Sequence, residues 1–173
     1  GGEMNLEQDK MLSLMREILQ EDYLELIIER YTLEERLDEG RCQIVCWLKD
    51  AKGTSGEVRG SGVGTIDAVF DALRRHLAED YPSLKSIRFS QLTIRGSTKG
   101  GAVAAVGMVN SEGRELLFQT EQPAVSRAGI EATVRAAEYF VNSERTYVRL
   151  HEILTHYKKE GRTDLVEKYT DLM

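Results

Sequence analysis

The sequence predicts an α+β fold built from a duplicated βββα unit. Two observations carry this prediction. Segments with strand-like alternation occur in two groups of three, and a segment with helical periodicity follows each group. A sheet of three strands has an apolar face to bury, so we expect two three-stranded sheets packed with helices.

An internal offset supports the duplication. Shifting the first half by 64 residues places Ile66-Asp67-Ala68 on Ile130-Glu131-Ala132, and a predicted strand on a predicted strand. We therefore expect units at about residues 23–82 and 86–142. Helical extensions should flank them at residues 1–22 and 143–173.

The elements of the first unit follow from their patterns. Apolar residues at spacings of three and four predict a helix over residues 5–21. From Tyr23 to about Leu33, alternation favours a strand over a continued helix, which stays open. Strands should then cover Arg41–Lys49 and Ser55–Arg59, and a helix should end at Tyr81-Pro82, because the residue before proline disfavours helical geometry.

The second unit repeats this order. Its predicted strands are Ser86–Arg95, Ala102–Asn110 and Arg114–Thr120, and its predicted helix covers Val125–Asn142. In the tail we expect a separate helical stripe from residue 144 to a stop at Gly161, and then a short helix that begins at Thr163-Asp164.

Composition excludes several classes of partner. The 173 residues include 23 Lys and Arg against 29 Asp and Glu, a net charge of −6. This balance argues against nucleic-acid and polybasic membrane binding. No stretch reaches the roughly 18 apolar residues of a membrane span, and no signal-peptide pattern opens the chain. We expect a cytoplasmic protein.

The two cysteines are expected to be buried and reduced. Cys42 and Cys46 lie four residues apart on a predicted strand, which separates their Cα atoms by about 13 Å. A disulfide needs roughly 4.4–6.8 Å. No further ligands nearby complete a zinc site.

The segment Gly60–Ala68, GSGVGTIDA, carries the chemistry of most interest. Its three alternating glycines let the backbone turn sharply and approach a ligand, and the following helix presents free N–H groups that favour a carboxylate. Asp67 could pair with an ammonium group, so the segment could hold a zwitterion. Equally, the glycines could form only a strand-to-helix turn, with Asp67 favouring the helix dipole.

Catalytic motifs are scarce. His76, His151 and His156 are scattered without metal-ligand spacing, neither cysteine has a base partner, and no nucleophile elbow occurs. We expect no catalytic residues, no metal and no cofactor.

Two segments resemble the C-terminal allosteric dimerisation domain of 2-isopropylmalate synthase and citramalate synthase. That family carries G-x-G-P-V-D-A before its first helix, and Gly62–Ala68 is similar, with Thr65 replacing proline and Ile66 replacing valine. The family's second helix opens with a motif like S-T-D-I-I-E-A-S-x-R-A, which Ser126–Ala136 resembles. In that alignment Ala128 takes the place of the family's aspartate.

The resemblance implies a homodimer that binds leucine or isoleucine and regulates an acyltransferase of branched-chain amino-acid biosynthesis. The ligand-binding positions that it implies here are Gly62, Gly64, Thr65, Asp67, Ala68, Ser126, Ile130, Glu131 and Ala132. The catalytic barrel needs about 250 residues, more than this chain has. Two alternatives stay open: a structural dimerisation module with a decayed ligand site, and an enzyme of unknown type.

Overall fold

The computed structural model describes the backbone of residues 2–173 and the side chains of residues 6–173. Two three-stranded antiparallel sheets, in the orders β1-β2-β3 and β4-β5-β6, are each followed by a helix, which confirms the α+β prediction. The main elements are α1 (Gly2–Leu19), β1 (Leu26–Arg36), β2 (Arg41–Asp50), β3 (Ser55–Gly62), α2 (Thr65–Leu77), β4 (Arg88–Gly96), β5 (Ala102–Val109), β6 (Glu115–Gln122), α3 (Val125–Lys159) and α4 (Thr163–Leu172).

The chain divides into two compact units. One comprises residues 24–140 and holds both sheets; the other comprises the residues up to 23 together with residues 141–173. In the helical unit, Met15 and Leu19 of α1 are buried, as are Leu150 and Leu154 of α3. Among the residues from 2 onward, no helix is both long enough and apolar enough to span a membrane.

The repeat has a period of 60 residues from the second strand of each unit onward and 61 for the first strands, so the predicted offset of 64 is wrong. The turn after β2, where the Asp50 carboxylate accepts from two backbone N–H groups, recurs after β5 around Asn110. Gly53 and Gly113 take the same left-handed conformation, with φ of 84° and 80°. Four residues is about one helical turn, so the wrong offset still matches buried faces to buried faces.

The predicted break near residue 143 is also wrong, because α3 runs without interruption from Val125 to Lys159. Ser143, between the two expected helices, is neither glycine nor proline, the residues that most commonly end a helix. The apolar pattern changes there because fewer residues of the helix are buried beyond Asn142, namely Thr146, Leu150 and Leu154.

The first sheet meets α2 through glycine. Gly60 lies within β3, which continues through Gly62 instead of ending at Arg59 in a sharp turn. A Cβ on Gly60 would lie 2.4 Å from both the Ala68 carbonyl oxygen and the Ala72 nitrogen. Glycine is therefore needed for close approach of strand to helix, and not for an unusual φ.

The buried face of β2 points toward α2. Ile44, Cys46 and Leu48 alternate along it with less buried residues, and Ile44 pairs in register with Gly60. Cys42 and Cys46 lie on this face as free, buried thiols, as predicted. Burial raises the pKa of Cys46 to about 11, so this thiol stays protonated and unreactive at neutral pH.

Two charged side chains of α3 hold the first residue of β1. The Leu26 N–H donates to Oε2 of Glu138 at 2.6 Å, and Arg135 donates to the Leu26 carbonyl at 3.1 Å. The two side chains also pair with each other at 2.9 Å. Glu138 is almost fully buried, and burial raises its pKa to about 7, against the lowering effects of Arg135 and the Leu26 N–H.

We predict that Gly60→Ala destabilises the fold by about 1–3 kcal/mol, because the backbone atoms of Ala68 and Ala72 in α2 leave no room for the added methyl group. Gly56→Ala on the same strand is the matched control, since a Cβ there meets nothing within 4 Å. Urea unfolding measures both variants. Equal midpoints for the two would contradict the backbone contact.

We predict a pH dependence of stability that originates at Glu138. Its pKa is raised from 4.5 to about 7 in the folded chain, so the folded state binds this proton more tightly than the unfolded state does. The stabilisation that protonated Glu138 gives the folded state is complete below pH 4.5 and is lost as the pH rises through 7. Glu138→Gln keeps an acceptor for Leu26 but cannot titrate.

Urea unfolding of both proteins across this range measures the effect. The free energy of unfolding of the wild type should fall relative to that of Glu138→Gln as the pH rises. Parallel pH profiles would show that Glu138 does not titrate in this range.

Candidate functional site

The loop before α2 is fixed by Asp67. The Val63 N–H donates to Oδ2 of Asp67 at 3.1 Å, so the carboxylate in the first helical turn binds back to the loop. A Cβ on Gly62 would lie 2.5 Å from that same oxygen and 2.8 Å from the Ala68 nitrogen. Gly62 is therefore required for the carboxylate to reach the loop.

The backbone N–H groups at the start of α2 are not capped by a side chain. Gly64 is the N-cap residue and supplies no side-chain cap, so the first N–H groups of the helix lack a side-chain acceptor there. These groups and the helix dipole favour an anionic partner. Asp67 Oδ1 has no hydrogen-bond partner within residues 6–173, and so can accept from a cation.

An open groove of about 520 Å³ lies at this end of α2. The loop and first helical turn form one wall, and two apolar side chains of β4 form the other; the lining residues are Val63, Gly64, Thr65, Ile66, Asp67, Phe89 and Leu92. The groove thus places helix N–H groups and a carboxylate beside an apolar wall. A small zwitterion with an apolar side chain fits this chemistry.

The two groove residues on β4, Phe89 and Leu92, are not among the ligand-binding positions that the sequence predicted. Phe89 and Leu92 are three residues apart and would normally point to opposite faces of a strand. A bulge between Phe89 and Gln91 shifts the register, so that Phe89 pairs with Met108 and Leu92 with Val106, on one face. A departure from strict alternation is the only sequence signal of this wall.

The structure brings some of the predicted positions to the groove and leaves others elsewhere. Gly64, Thr65 and Asp67 line it, and Gly62 supports it from behind. Three more predicted residues have their side chains in the core: Ala68, Ile130 and Ala132. Glu131 is directed to Arg135, at 3.4 Å.

The start of α3 adjoins the groove. A Cβ on Gly129 would lie 2.8 Å from Ile66 Cδ1 and 3.9 Å from Leu92 Cδ1, and both of those residues line the groove. Ser126, one turn earlier on α3, is exposed. Ser126 is therefore the predicted α3 position whose side chain is exposed close to the contact between Gly129 and the groove.

The two halves differ in charge at equivalent positions. Ala68 and Ala128 make the same first-turn hydrogen bond, to Gly64 and Ala124 respectively, each at 3.0 Å. With this 60-residue offset, the counterpart of Asp67 is Arg127, and not Glu131 as the 64-residue offset implied. The second loop therefore lacks the carboxylate that organises the first.

Titratable side chains form no metal centre in the part of the chain that the structure describes. Residues 6–173, whose side chains the structure describes, contain no group of three or more His, Cys, Asp or Glu side chains placed to bind one ion. His76 lies on α2, whereas His151 and His156 lie on α3.

Comparison with known proteins identifies one family. A family model described as the LeuA allosteric (dimerisation) domain matches residues 5–141, which confirms the resemblance seen in the two helix-opening segments. This domain is regulatory and not catalytic. No curated protein matches the chain. The matched segment contains both sheets, α2 and the groove.

Proposed function

The chain belongs to the LeuA allosteric (dimerisation) domain family, and we propose that it is a homodimer that binds a small amino-acid effector. The proposed effector class is leucine or isoleucine. The proposed partner is a catalytic acyltransferase domain or chain of branched-chain amino-acid biosynthesis, in the cytoplasm. The chain itself would transmit the effector's presence and catalyse nothing.

The groove at the start of α2 is the observation that carries effector binding. Helix N–H groups can take the ligand's carboxylate, and Asp67 Oδ1 can take its ammonium group. Phe89 and Leu92 offer an apolar surface to a branched side chain. The three contacts lie around one groove, so a single amino acid can make them together.

An apolar surface on the first strand of each sheet supports association. Tyr31 and Leu33 of β1 are 37% and 38% exposed, and their counterparts on β4, Leu92 and Ile94, are 38% and 41% exposed. Leu33 pairs with Ile44, so it lies on the same face of the sheet as α2. The helix packs on β2 and β3 and leaves β1 uncovered. Paired apolar patches of this kind are typical of an interface between copies.

A structural dimerisation module is the second candidate, and two observations favour it. One oxygen of Asp67 already accepts an internal hydrogen bond, and the second half has Arg127 at the position equivalent to Asp67. In that case the homodimer would form without an effector.

We predict that Leu33→Glu weakens the homodimer, because it places a charge within the apolar surface of β1. Leu37→Glu is the matched control: this residue is 84% exposed in the following turn, so the same change should leave association intact. Sedimentation velocity separates a dimer from a 19.5 kDa monomer. A monomeric wild type, or a dimer unaffected by Leu33→Glu, would contradict this interface.

We predict that leucine or isoleucine at about 100 times its dissociation constant stabilises the fold by about 2.7 kcal/mol, and that Asp67→Asn abolishes this gain. Asparagine keeps an oxygen for the Val63 N–H but removes the charge that would hold the ammonium group. The unliganded variant should therefore be nearly as stable as the wild type. Thermal shift with each of the twenty amino acids measures the effect.

Asp71→Asn is the matched control on the same helix. Its carboxylate accepts from the Ser61 N–H and pairs with Arg75, outside the groove, so this change should lower stability but keep the ligand response. If no amino acid stabilises the wild type, effector binding is excluded and the structural module remains.

A further inference from the structure

Gly129 is a buried residue in the second turn of α3, where the helix itself gives no reason for glycine. Its φ is not left-handed, and glycine inside a helix is less favourable than alanine. The equivalent position of α2, 60 residues earlier, is Val69, whose side chain is fully buried. The duplicated fold therefore accommodates a side chain at this position in its first half. The reason for glycine in the second half lies in a neighbouring residue.

The end of the Ile66 side chain occupies the space that a side chain at position 129 would fill. A Cβ on Gly129 would lie 2.8 Å from Cδ1 of Ile66 and 3.5 Å from its Cγ1. Non-bonded carbon atoms are normally about 3.5–4.0 Å apart, so only glycine allows Ile66 to lie against this turn of α3. Ile66 also lines the groove at the start of α2. The absence of a side chain at position 129 therefore decides where one apolar wall of the groove stands.

We propose that Gly129 is a positioning residue that determines which effector side chains the groove accepts, because it gives Ile66 room to lie away from the ligand. The inference rests on the proposed effector function and adds to it a residue that does not line the groove. With Ile66 held against α3, the apolar part of the groove, which Phe89 and Leu92 complete, admits a side chain as long as that of leucine. A wall that stood farther into the groove would favour the shorter side chain of valine.

An added methyl group on Gly129 would move this wall. To restore a normal carbon–carbon distance, Cδ1 of Ile66 must move by about 1 Å. Ile66 is 6% exposed and its surroundings are closely packed, so the open direction for this movement is toward the groove. One methylene that does not fit an apolar pocket changes relative affinity by about 10- to 200-fold. The contact between Gly129 and Ile66 is therefore sufficient to separate leucine from valine.

Calorimetric titration of the chain with leucine and with valine tests the inference. In Gly129→Ala, the ratio of the leucine to the valine dissociation constant should rise about tenfold or more above that of the wild type. Ile66→Val removes Cδ1, the atom that the added methyl group displaces, so the double variant Ile66→Val/Gly129→Ala should reverse this rise. Gly96→Ala on β4 is the matched control, because a Cβ there meets nothing within 4 Å, and it should leave the ratio unchanged.

A purely structural role of Gly129 would weaken the binding of both amino acids alike. An unchanged ratio in Gly129→Ala would therefore overturn the inference while the effector function stands, and so would a raised ratio that the double variant does not reverse. If the wild type binds no amino acid, the effector function and this inference fall together, so the two failures are distinguishable. Ile66→Val alone should lower the ratio below that of the wild type, which keeps the inference testable if Gly129→Ala does not fold.

Discussion

The direct contact between the backbone of β3 and the backbone of α2 is the constraint on which the groove depends. With glycine at position 60, no side chain separates the strand from Ala68 and Ala72, so the helix lies against the sheet. At position 62 glycine leaves room for Asp67 to turn back to the loop. The same small residues thus fix the direction of the helix and the place where its N–H groups emerge. The glycines serve packing first, and any ligand site is a consequence of that packing.

The second constraint is the bulge in the first strand of each sheet. The register shifts between Ile28 and Arg30 in β1, and between Phe89 and Gln91 in β4. In β4 the bulge aims Phe89 and Leu92 at one side, toward the start of α2. Both halves of the duplicated unit have this bulge, but the loops that follow β3 and β6 differ in sequence. Aspartate organises the first loop, whereas arginine occupies the equivalent position in the second. The two halves therefore share a scaffold and differ in the chemistry that they can offer.

The hydrogen bonds from Arg135 and Glu138 to the backbone of Leu26 show how α3 fixes the position of the first residue of β1. Both polar groups of one strand residue are satisfied by side chains from a helix more than a hundred positions away. A buried carboxylate is costly unless it is paired, and here the guanidinium and the backbone N–H supply the partners. The cost that remains appears as the raised pKa of Glu138. Glu131, which the family resemblance implies as a ligand-binding position, also joins this charge cluster through Arg135.

Local pattern and motif were sufficient for the α+β class, the six strands, the buried thiols and the family. These features depend on residues close together in the sequence, where alternation, helical spacing and glycine placement act directly. The repeat period was not determined in this way, because a shift of one helical turn leaves buried faces matched. The continuity of α3 was missed because its buried surface narrows, from most positions between 128 and 142 to Thr146, Leu150 and Leu154 beyond them. Phe89 and Leu92 could be assigned to the groove only in three dimensions, since a bulge reverses the side that alternation predicts. Tertiary packing also decided that Ala68, Ile130 and Ala132 belong to the core, because burial depends on which surfaces of the folded chain meet.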